Sequence, residues 1–165
     1  MNGRKQFPQR PPSGPRQRRD GVATGEENEG VSLFDPSKSE VELLDTLAEK
    51  QADKIDRLNS TQLRRFFGDV KEQYRRFEAA AAQRQSEEEI ADLYRTKHEP
   101  LFKMLRSKVA YASRSGGQSK IPQSFATFLS EGVRKVNDYK EYRLFVKHFE
   151  AVVGFLYGMD KVQNR

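Results

Sequence analysis

In the stretch from Leu58 to Gln83 the apolar residues Leu63, Phe66, Phe67, Val70, Tyr74, Phe77 and Ala81 recur at steps of three and four. At about 100° per residue they gather into one stripe about 100° wide, the pattern of a long helix with one face in a core. A strand would divide this set between its two faces, Leu63, Phe67, Phe77 and Ala81 on one and Phe66, Val70 and Tyr74 on the other, so the spacing favours a helix. On the same wheel Arg64, Lys71 and Arg75 follow one flank of the stripe, with Gly68 between them, while Arg65 and Arg76 fall on the far side. That flank reads either as a basic ridge for a polyanion or as an ordinary solvated face.

Helix-start signals recur along the chain after Asp35. Ser37 with Glu40, Asn59 with Gln62, Ser86 with Glu89 and Asp138 with Glu141 have the spacing of a capping box, in which each short side chain accepts from an orphan backbone N–H. The first start opens a helix from about Glu40 to Lys50 that buries Val41, Leu44, Leu47 and Ala48. The main helix follows from about Ser60 to Arg84. A third helical region begins near Glu87 and meets Pro100, which cannot donate to the ladder, so a kink or break is expected there. Beyond it Leu101, Leu105, Val109 and Ala112 continue an apolar face as far as the loop Ser115–Ser119. Pro122 suits a first helical position, ahead of Phe125, Phe128, Leu129, Val133 and Val136. The last helix, about Tyr139 to Tyr157, is the most apolar and reads as central, with Gly158 as its C-terminal stop.

No segment alternates strictly enough to support a sheet. The fold class expected is all-α, a compact bundle of about five helices behind a disordered N-terminal tail. Residues 1–35 are assigned to that tail because Pro8, Pro11, Pro12, Pro15 and a run of arginines leave little apolar area to offset the entropy of ordering. Residues 36–165 form the single helical domain, a size that suits one core.

The chain contains no cysteine, which removes disulfides, thiol nucleophiles and thiolate metal sites together. Its two histidines, His98 and His148, share no ligand spacing and read as surface or partly buried imidazoles. The acidic run Glu87-Glu88-Glu89 reads as the first turn of a helix, where carboxylates complement the macrodipole. With no Walker-type or dinucleotide glycine pattern either, the chain reads as a binder, with no enzyme activity, no cofactor and no small-molecule substrate. No apolar run reaches the roughly 20 residues of a membrane span, which suggests a cytoplasmic protein with no membrane partner. The net charge of +6 favours nucleic acid or an acidic protein surface as partner.

A second concentration of positive charge is Leu105–Arg114, LRSKVAYASR, extended by Lys103 and Lys120. Arg106, Lys108 and Arg114 surround Tyr111 there, and small residues allow another backbone to come close. Tyr111 itself is read as packing in preference to base stacking.

Three stretches resemble one family, the small subunit of type III-A (Csm) CRISPR interference complexes. The first is Leu58-Asn59-Ser60-Thr61-Gln62-Leu63-Arg64 followed by Phe66-Phe67. The second is Leu105–Arg114, in which Ser107 stands where proline is usual. The third is Phe145 followed by Phe149-Glu150-Ala151-Val152-Val153. The resemblance covers Leu58 to Tyr157 and implies a helical bundle that binds RNA and stacks in copies along the guide, beside other Csm-complex subunits. Such a protein must serve every guide sequence, so phosphates and 2′-hydroxyls are the expected contacts. Arg64, Lys71, Arg75, Lys108 and Arg114 are the expected RNA-binding residues, facing the target strand or the guide–target duplex. The alternative is a helical spacer with mainly protein contacts and little RNA affinity of its own.

Overall fold

The computed structural model describes residues 31–116 and 120–164. Its helices are α1 (Glu40–Leu44), α2 (Thr46–Lys54), α3 (Ser60–Ala81), α4 (Glu87–Leu93), α5 (Glu99–Lys103), α6 (Leu105–Ser113), α7 (Gln123–Lys135) and α8 (Tyr139–Gly158). A π-helical turn, Tyr94–His98, joins α4 to α5. Grouped as α1–α2, α3, α4–α6, α7 and α8, these make the five helical passages of an all-α bundle. One two-residue parallel bridge, absent from the sequence reading, pairs β1 (Leu58–Asn59) with β2 (Val162–Gln163).

Helix α8 runs through the middle, burying Tyr142, Phe145, Phe149, Val152 and Leu156 among other residues. Phe145 meets Phe34 and Phe102, Phe149 meets Phe67 and Phe128, and the Tyr142 ring lies 4.7 Å from that of Phe102. Contacts between α3 and α8 pair Phe67 with Phe149 and Tyr74 with Tyr142, so the two helices run antiparallel. Phe77 faces Tyr94 and His98 while Asp69 faces Lys108, so α4–α6 also runs antiparallel to α3, on its other side. All seven residues of the α3 stripe are buried or half-buried, as their spacing predicts.

Three of the four predicted caps form. Asn59 accepts from Thr61 N–H, Ser86 from Glu89 N–H and Asp138 from Glu141 N–H. The first start differs: Ser39, not Ser37, caps α1, because Asp35 takes both the N–H and the hydroxyl of Ser37 into a turn. Val41 and Leu43, two residues apart, lie about 160° apart around a helix. Leu43 is fully buried and Val41 exposed, contrary to expectation, and Asp45 divides α1 from α2.

Pro100 is accommodated without ending the helix. The π turn brings Glu99 N–H to the Tyr94 carbonyl, Pro100 occupies the first turn of α5, and α5 passes into α6 through Met104, whose backbone stays in the right-handed helical region. The larger Phe102 then fills the core against Tyr142 and Phe145, and Leu101 is exposed. Pro122 precedes α7 by one residue instead of starting it. Gly158 is the last residue of α8, and the left-handed position belongs to Asp160 (φ 53°).

The tail assignment extends too far. Phe34 is fully buried against Phe145 and His148, and the Lys135 ammonium donates to the carbonyls of Ser32 and Phe34. Packing thus begins before Asp35, and the disorder expected of residues 1–30 lies outside the described residues, as does most of the predicted loop after Ser115.

Candidate nucleic-acid interface

Helix α3 lies between α8 on one flank and α6 on the other, and this separates the predicted cations into two groups. On the α8 flank Lys71 extends from α3 to Glu150, with Nζ and Oε2 2.8 Å apart. Arg75 pairs within α3, its guanidinium forking onto Glu72 at 3.0 Å, while Arg76 reaches the same carboxylate at 2.8 Å. Those bonds, Arg76 first and then Arg75, hold the Glu72 carboxyl below its ordinary range. Arg64 shares the wheel phase of Lys71 and Arg75, is exposed, and makes no ion pair among the described residues.

On the α6 flank Lys108 reaches back to Asp69 of α3 at 2.9 Å. Asp69 and Lys71 stand about 160° apart around α3, so the structure does not bring Lys108 and Lys71 together. Arg114, at the C-terminal end of α6, stacks its guanidinium 3.7 Å from the centroid of the Tyr111 ring. Tyr111 is 65% exposed, so its reading as a packing residue is corrected. Arg65, which the wheel set apart from the ridge, joins Lys108 and Tyr111 around a groove between α3 and α6. The signal for this grouping was the Asp69–Lys108 pairing, which only tertiary contact reveals.

Other lysines are committed to the fold. Lys103 turns inward, donating to the carbonyls of Val133 and Val136 at the end of α7, and its burial lowers its pKa. Lys161 donates in the same way to carbonyls of Ala52, Asp53 and Ile55 at the C-terminal end of α2. By contrast Lys71 and Lys108 keep more than a third of their side chains exposed, as do their carboxylate partners. An exposed pair of this kind contributes at most about 1 kcal/mol, so an incoming phosphate competes with the carboxylate on near-equal terms.

The histidines differ from expectation in one case. His98 is half-buried against Phe77 with its pKa lowered by burial, whereas His148 is fully buried beneath Phe34 and Phe128. Among the described residues no group of three or more His, Asp or Glu side chains is arranged to hold a metal ion. No helix among them is long and apolar enough to cross a membrane. Glu87-Glu88-Glu89 forms the first turn of α4, as read from the sequence.

Fold and surface together define a small, basic, all-α bundle with exposed cations on most of its helices, among them those of α3 and α6. The Csm2 Type III-A family model matches residues 38–157, a span that reaches from just before α1 to the penultimate residue of α8. The chain belongs to that family and is a small subunit of a type III-A CRISPR effector complex. Neither the curated proteins nor the solved structures compared with it gave a match.

Proposed function

We propose that this small subunit is a non-catalytic RNA-binding component that acts in the cytoplasm in antiviral defence. It stacks in copies beside the guide and contacts the target-strand backbone without reading bases. The observation that carries this is the solvent exposure of Lys71, Lys108, Arg64, Arg75 and Arg114, of which Lys71, Arg75 and Lys108 are paired with carboxylates that are themselves solvent-exposed. A backbone phosphodiester offers two oxygens sharing one negative charge, as a carboxylate does, and each phosphate neutralised also releases counterions, which favours the exchange. The separation into two flanks suits a strand, or a strand and its neighbour, passing across α3 at more than one point.

A second reading, the spacer with mainly protein contacts, is favoured by one fact: Lys71 and Lys108 already tie α3 to α8 and to α6. Gel shifts separate the two. Alanine at Lys108 and Arg114, or at Arg64, Lys71 and Arg75, is expected to weaken binding equally for unrelated single-stranded RNAs. For every phosphate that is no longer neutralised, the log–log salt slope should become shallower by about 0.7. Unchanged affinity in both variants would leave the spacer.

A further inference from the structure

The groove between α3 and α6 contains more than phosphate-binding charge. It encloses about 260 Å³, slightly under the range of about 300–1,000 Å³ typical of small-molecule sites, and Arg65, Asp69, Ser107, Lys108 and Tyr111 line it. The small side chains Ser107 and Ala112 leave the rim low around the Tyr111 ring. A single exposed aromatic residue is ordinary on a protein surface. Here the ring is 65% exposed, backed on one face by the Arg114 guanidinium at 3.7 Å, and flanked by two further cations. The one carboxylate in the groove, Asp69, is already paired with Lys108, which leaves Arg65 and Arg114 as excess positive charge.

We propose that the Tyr111 ring is a stacking platform for one unpaired RNA base, whose flanking phosphates are held by Arg65, Lys108 and Arg114. This rests on the RNA-binding reading above and deepens it, since one contact then goes to a base face as well as to the backbone. A nucleotide carries a flat ring and an anion at fixed separation, which matches an exposed ring bordered by cations. An acidic peptide matches the charge without the plane. Stacking makes no use of base edges, so the contact is compatible with any guide, because every base has a π-face. In a duplex those faces are covered by neighbouring pairs, so the base must come from a single-stranded or splayed position.

The test compares the full chain with Tyr111→Ala and Tyr111→Phe for binding to a short oligouridylate, to the same strand carrying abasic positions, and to its perfect duplex. Because the ring is largely in solvent, all three proteins should share one melting temperature. Base–aromatic stacking corresponds to a loss of about 5- to 160-fold on the single strand for Tyr111→Ala. Tyr111→Phe should bind like the wild type. The salt slope should be the same in all three proteins, and the abasic strand should not distinguish them. Wild-type affinity in Tyr111→Ala on the oligouridylate would overturn the stacking platform while leaving the phosphate contacts standing. An equal loss on the abasic strand, an equal loss in Tyr111→Phe, or competition by polyglutamate as effective as by RNA would also overturn it. Absence of any RNA binding by the wild-type chain would overturn both readings together.

Discussion

His148 lies on the buried side of α8, with Nδ1 2.6 Å from the Leu43 carbonyl oxygen, to which its N–H donates, and Nε2 without a hydrogen-bond partner among the described residues. A proton added at Nε2 would find no acceptor among the described residues. Burial, aided by Lys135 and opposed by the bond to Leu43, therefore holds the imidazole pKa below its ordinary 6.5. The unfolded chain then binds more protons than the folded one at acid pH. This stabilisation is complete above about pH 6.5 and is lost as pH falls from there toward the depressed folded value. The melting temperature should thus drop between about pH 7.5 and about pH 5.5, and His148→Phe should flatten that drop whatever its baseline. Equal pH slopes in the two proteins would contradict this. Glycines give a second contrast at the same scale. A Cβ on Gly132 would press into the Phe145 ring, whereas one on Gly68 would meet nothing within 4 Å. Gly68→Ala should raise stability by about 0.5–1 kcal/mol through helix propensity. For Gly132→Ala the overpacking cost of about 1–3 kcal/mol outweighs that gain, and denaturant titration should show opposite shifts of midpoint.

The helices themselves were legible from periodicity and caps, because the α3, α7 and α8 stripes and the caps at Asn59, Ser86 and Asp138 depend on local spacing alone. What local spacing missed were phase changes. At α1 the Asx turn of Asp35 removed Ser37 from capping, and at the π turn a register change chose between Leu101 and Phe102, either of which fits a face that includes Leu105. The second choice was decided by tertiary packing: the larger ring won the site against Tyr142. Helix ends also depend on long-range donors that no local rule supplies. Lys103 satisfies the Val133 carbonyl at 2.9 Å and that of Val136, so it serves the C-terminal end of α7 from a different helix. Lys103→Met keeps the aliphatic stem and leaves those carbonyls without their donor, which should lower stability by about 1–3 kcal/mol. Thermal melts check it, and an unaltered melting temperature would mean that water replaces the ammonium without cost.

At the scale of the molecule, charge is sorted by depth and by face. Lys103, Lys135 and Lys161 hold the ends of chain segments together, while Lys71 of α3 and Lys108 of α6 stay at the surface with exposed carboxylate partners. Net charge made a polyanion a reasonable partner, and the wheel of α3 located one basic flank. Neither could reveal that α6 docks on the opposite flank, that Arg65 belongs with Lys108, or that Tyr111 stands in solvent, because these depend on which helix packs beside which. Family membership identifies the chain as a type III-A small subunit, and under the proposed function its exposed cations would contact the backbone of a target strand of any sequence. The salt dependence of binding by the full chain to two single-stranded RNAs of unrelated sequence tests this most directly. The account predicts equal affinities and parallel log–log lines with a slope of about −2 or steeper, equivalent to three or more phosphate contacts. A flat line, or affinities that differ severalfold between the two sequences, would contradict it.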